Sequence, residues 1–183
     1  KKELADGTAA GQLMVIASHI PISVEVTAPN SSMGWWTDPK NAVTLPDLLA
    51  ELHSHPNLVL LMAGHRHLNT VKAFVSPDPA GAPENGFWQV ETSSLHDFPQ
   101  QFRTFEIFLN SDDTISIVTT NVDPAVLEGT PAAASRRYAI AAAQILKNME
   151  GIEHWNPTND PTVKPMPAGS YNAELVVPLS PAM

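Results

Sequence analysis

Apolar residues form two short unbroken runs in the first third of the chain and alternate with polar residues further on. Residues 13–18 (LMVIAS) lie between Gly11 and Pro21, and residues 58–63 (LVLLMA) stop at Gly64. Runs of this length, bounded by turn residues, predict strands buried on both faces. Between them Leu45, Leu48, Leu49 and Leu52 fall on one face of a helical repeat. Thr44 can cap that helix, Pro46 suits its first turn, and His53 and His55 close it before Pro56. Further strands are predicted over 70–75, 87–92, 102–110 and 114–120. The last two alternate apolar with polar residues, as strands with one buried face do, and Ser111-Asp112-Asp113 predicts a hairpin turn between them. Residues 132–149 read as an alanine-rich helix with Ile140, Ile145 and Leu146 as its apolar side.

The other segments are polar. Residues 1–11 read as a linker or the tail of an earlier helix, and 25–40 as a long loop around Trp35-Trp36, punctuated by Pro29, Gly34 and Pro39. Beyond Gly151 the chain is rich in Pro and Asn. This divides it into a domain over 1–150 and an extension over 151–183 that packs on the domain and adds a strand over 174–179. Two apolar strands joined through a helix predict a parallel pair, continuing into antiparallel strands. The fold class is α/β, with mixed sheets in layers.

Composition narrows the function. A chain of 183 residues can bury roughly 70 % of its unfolded surface. Its net charge of −9 and lack of a Lys/Arg cluster argue against a grip on a nucleic-acid backbone. With no cysteine, thiolate catalysis and thiolate metal sites are excluded. The longest uncharged run near the amino end is too short to span a membrane, and no segment reads as a signal peptide. The chain opens on Lys1, which is expected of a processed or truncated polypeptide, so localisation is not readable.

Both apolar strands end in histidine: the first runs into His19-Ile20-Pro21, the second into Gly64-His65-Arg66-His67. Ligands of open α/β sheets gather at the carboxyl ends of the strands, so two adjacent parallel strands would bring three imidazoles together. Alternate residues of an extended segment share a side, which would turn His65 and His67 inward and Arg66 away. Gly64 lets the backbone approach whatever the histidines hold. Imidazole suits zinc, iron and manganese better than magnesium or calcium. One histidine after a strand is usually structural; the combination of both motifs, with one helix between, indicates a shared metal site.

In this order, His-x-Pro after one buried strand and Gly-His-x-His after the next, the chain resembles the carboxyl-terminal half of the calcineurin-like metallophosphoesterases. The likeness spans about residues 13–120. The segment 86–107 (GFWQVETSSLHDFPQQFRTFEI) resembles the strand pair closing that family's second sheet, and 98–103 (FPQQFR) looks like a bacterial branch of unknown substrate. The resemblance implies a four-layer α/β/β/α sandwich and two transition-metal ions (Mn, Fe or Zn), with a bridging hydroxide attacking phosphorus. It implies that His19 and His65 bind one metal and His67 the other. The family's Asp-x-His, Gly-Asp and Gly-Asn-His motifs do not occur here. The expected activity is therefore that of an incomplete carboxyl-terminal fragment with no catalytic residue of its own, partnered by a missing amino-terminal half or dimerising through an exposed strand edge. Its rivals are a non-catalytic interaction piece and a mononuclear zinc hydrolase with three histidine ligands.

Five further residues are candidate phosphoester contacts: Trp35 and Trp36, which follow the His19 strand, and Arg66, Arg103 and His96. Each has a plainer reading. The tryptophans can bury locally, Arg66 and Arg103 can make surface salt bridges, and His96 can pair with Asp97. His53 and His55 are expected to favour their helix's carboxyl-terminal dipole, and His154 to be solvated.

Overall fold

A computed structural model describes residues 1–23, 43–148, 172–181 and 183. Strand β1 (Met14–Ala17) leads, across residues 24–42, to helix α2 (Leu45–His53) and strand β2 (Leu58–Ala63). Before β1 stands helix α1 (Lys2–Ala9), where a linker or helix tail is expected. Thr44 is the N-cap of α2, its hydroxyl accepting from the backbone nitrogen of Asp47 at 3.3 Å, and Pro46 sits in the first turn. Strands β3 (Thr70–Phe74) and β4 (Phe87–Glu91) complete a first sheet of order β1-β2-β4-β3. β1 pairs parallel with β2 and β2 with β4, while β3 runs antiparallel to β4. Strands β5 (Phe102–Leu109), β6 (Thr114–Val122) and β7 (Ala173–Pro178) form a second, wholly antiparallel sheet, with the expected hairpin between β5 and β6. Helix α3 (Pro131–Asn148) lies between β6 and β7 in sequence.

The two faces of the first sheet bury different partners. Leu60 and Val90 pack with Ile115, Ile117, Leu175 and Val177 of the second sheet. Leu58, Leu61, Ala63, Phe74 and Phe87 pack with Leu48, Leu49 and Leu52 of α2 and Leu4 of α1. β2 is thus buried on both faces, as its sequence demands. β1 is not. It is an edge strand with alternating exposure, and Val15 is 40 % exposed. Helix α3 also departs from expectation: Ile140 and Ile145 are exposed, while Ala133 in the first turns is buried. The side chain of Leu146 lies outside the described residues. Among the described residues, no helix is long and apolar enough to cross a membrane.

Candidate functional site

The parallel pairing of β1 with β2 carries both histidine motifs to the same edge of the sheet. The loops after the two strands are stitched together by the Gly64 backbone nitrogen, which donates to the His19 carbonyl at 3.0 Å. His19 Nε2 and His65 Nδ1 then lie 3.1 Å apart, with the rings nearly perpendicular at 80°. Both residues are exposed. His53 and His55 stand at the opposite end of β2, before its first residue. His53 Nδ1 meets the carbonyl of Asn85 at 2.7 Å, and His55 Nδ1 the hydroxyl of Thr8 at 2.9 Å.

The Gly64–His67 turn is not the extended segment that alternation requires. His65 and His67 both have left-handed backbones, with φ of 77° and 58°. The reversal sends Arg66 into the protein instead of away from it. Its Nε donates to Glu91 at 3.0 and 3.2 Å, its Nη2 donates to the same carboxylate, and its backbone nitrogen reaches Glu91 at 3.3 Å. The expected outward direction of Arg66 is thereby corrected. The guanidinium neutralises a fully buried carboxylate, which would otherwise cost several kcal/mol.

His67 turns its Nδ1 onto the carboxylate of Asp97. That leaves Nε2 for a ligand, the usual arrangement of a metal-bound histidine whose other nitrogen is held by a carboxylate. The Asp97 loop is itself anchored. The Ser93 backbone nitrogen donates to Asn69 Oδ1 at 3.0 Å, Gln100 donates to Ser135 of α3 at 3.0 Å, and Arg136 of α3 stacks over Phe98 and donates to the Pro99 carbonyl. His96 is 89 % exposed in its side chain and 3.8 Å from Asp97, so it is the surface partner of that aspartate. Arg103, the other arginine considered, is buried in β5 and donates to Thr119 at 3.1 Å; burial lowers its pKa to about 10. Trp35, Trp36 and His154 lie outside the described residues.

The donor set fits a transition metal at His19 and His65. Two imidazole nitrogens that each bind one zinc ion at about 2.0–2.1 Å in a tetrahedral shell must lie about 3.3 Å apart. The observed 3.1 Å is close to that separation, and the hydrogen bond between the two nitrogens would have to give way to the ion. Among the described residues, no group of three or more His, Asp or Glu side chains is placed to hold a metal ion, so the expected meeting of three imidazoles is reduced to the pair His19 and His65.

Sequence reasoning missed three residues of this site: Gln89, Glu91 and Asp97. The signal for the first two was two polar residues, two apart, in a strand that ends beside Gly64. Asp97 was seen only as a neighbour of His96. Searches against family models, curated proteins and solved structures each return no match to this chain.

Proposed function

We propose that the chain supplies the histidine side of a dinuclear transition-metal site in a phosphoester hydrolase of the calcineurin-like kind. One observation carries the reading: His19 Nε2 and His65 Nδ1, from loops that follow adjacent parallel strands, stand 3.1 Å apart. His19 and His65 would hold one ion. His67, with Nδ1 occupied by Asp97, would present Nε2 to the other. Such ions, when bound, lower the pKa of water and neutralise charge on phosphoryl oxygens. The protein's own part is to orient three imidazoles. The bridging carboxylate and catalytic histidine of the Asp-x-His, Gly-Asp and Gly-Asn-His motifs must then come from a different polypeptide segment. The two observed sheets would form the middle of a four-layer α/β/β/α sandwich.

Calorimetric titration with zinc or manganese tests the reading. Binding should be weak, should disappear in His19→Ala and His65→Ala, and should survive in His53→Ala. A stoichiometry of one zinc per chain, requiring all three histidines, would instead favour the mononuclear site. Equal binding by His65→Ala and the unaltered chain would overturn both.

A further inference from the structure

Strand β4 contributes no histidine to the site, yet it holds both loops that do. Gln89 and Glu91 lie two residues apart, so they share a face, about 6.6 Å apart along the strand. That face is the one carrying Phe87, packed among Leu58, Leu61 and the leucines of α2. Polar side chains there are costly unless fully bonded. Gln89 is 1 % exposed and Glu91 0 %.

Among the described residues, their side-chain bonds go to the histidine loops or to what adjoins them. Gln89 clips the backbone of Ile22, three residues beyond His19. Its Oε1 accepts from Ile22 N at 2.7 Å, and its Nε2 donates to Ile22 O at 3.1 Å. Lys72, directly across the sheet from Gln89, extends the clip by donating to Ser23 O at 2.8 Å and Ser23 Oγ at 3.0 Å. Glu91 grips the other loop through the backbone nitrogen and guanidinium of Arg66, and accepts from Thr70 Oγ1 at 3.0 Å. Arg66 is flanked by the two left-handed histidines, a backbone conformation disfavoured in a non-glycine residue. A turn so disfavoured holds its shape only when its surroundings impose it.

We propose that Gln89 and Glu91 are a pair of positioning residues. Gln89 acts through Ile22 on the His19 loop, Glu91 acts through Arg66 on the His65 and His67 turn, and β4 thereby sets the separation of His19 from His65. The inference rests on the metal-site reading for its consequence, but not for its geometry.

The test uses the full chain and cobalt(II) alone as the probe, with three variants. Glu91→Gln removes the charge, Arg66→Lys keeps a cation but removes the planar fork, and Gln89→Leu removes the clip while remaining apolar. Each should lower cobalt affinity by about 10- to 100-fold and change the visible absorption of the bound ion. A purely structural role would lower the unfolding midpoint and leave that spectrum unchanged in the folded fraction. A metal-free arm reads the ring ¹⁵N resonances of His19 and His65, which should lose the signature of their mutual hydrogen bond in each variant. Should Glu91→Gln fail to fold, Arg66→Lys and Gln89→Leu carry both arms. Unaltered cobalt spectra and unaltered ring resonances in folded variants overturn the positioning role. If the unaltered chain binds no cobalt while its variants lose the ring hydrogen bond, the metal reading fails and the positioning role stands.

Discussion

Nδ1 of His67 faces a carboxylate oxygen of Asp97, thirty residues further along the chain. An aspartate in this position fixes both the tautomer and the plane of the ring, so that Nε2 carries the lone pair outward. It also makes the loop around residue 97 part of the site, although no residue in that loop is a candidate ligand.

Asp97→Ala should therefore weaken zinc or manganese binding by about 10- to 100-fold, measured by calorimetry. His96→Ala should leave it unchanged, because His96 is exposed and only 3.8 Å from the same aspartate. An equal loss in both variants would mean that the loop as a whole, rather than the Asp97 carboxylate, supports the site.

The Arg66–Glu91 pair separates stability from site geometry. Arg66→Ala strands a carboxylate with no solvent exposure and should cost about 3 kcal/mol in urea unfolding. Replacing both partners, as Arg66→Met with Glu91→Leu, removes the stranded charge and should recover most of that loss. The double variant should nonetheless bind metal as poorly as the single one.

Alkaline pH probes the loop beyond His19. Burial, and then the nearby charge of Arg66, hold the Lys72 ammonium below its usual 10.5. Between its folded value and that of the unfolded chain, the unfolded state binds more protons. The penalty on the charged form is thus present at lower pH and relieved as pH rises, so this residue makes stability climb with pH in that window. Lys72→Met should flatten the climb when urea midpoints are compared from about pH 8 to about pH 10. An identical slope in the variant would remove Lys72 as its source.

The exposed edge of the first sheet should associate. β1 pairs only with β2 among the described strands, and Leu13 and Val15 are each 40 % exposed beside it. Unpaired edges with apolar side chains recruit further strands. Light scattering should detect dimers that Val15→Lys disperses; a monomer at all concentrations would show that this edge is already protected.

Much of this arrangement is legible in the chain, and the illegible part has a common cause. Thr44, Pro46 and the leucines of α2 announce that helix because capping and periodicity are local. β2 announces itself because both of its faces are apolar. Gln89 and Glu91 are different. In a strand, alternating polar residues normally mark the solvent face, whereas here that face lies under helices and the polar groups serve loops drawn from elsewhere in the chain. The direction of Arg66 is hidden for a related reason: two left-handed residues reverse the chain where alternation predicts an extended segment. α3 misleads in the opposite way. Ile140 and Ile145 of its apolar stripe are exposed, and the helix is tied down by Ser135 and Arg136.

Activity is the final expectation, and it follows from what the residues lack. Three imidazoles supply no negative charge to hold two cations close together, and none of the family's aspartate motifs occurs in the sequence. The chain alone should hydrolyse an aryl phosphate ester at close to the background rate, whichever of manganese, zinc or iron is added. Supplied with a polypeptide carrying the Asp-x-His, Gly-Asp and Gly-Asn-His motifs, whether fused or co-expressed, it should cleave that ester in a metal-dependent way. In that assembly His65→Ala or His67→Ala should abolish turnover, since each removes a proposed ligand. His53→Ala should leave turnover nearly intact and cost about 1 kcal/mol of stability, because its imidazole bonds to the Asn85 carbonyl at the far end of β2. Metal-dependent turnover by the unassisted chain at the assembled rate would refute the incomplete-site proposal, and loss of activity in His53→Ala alone would move the site to the other end of the sheet.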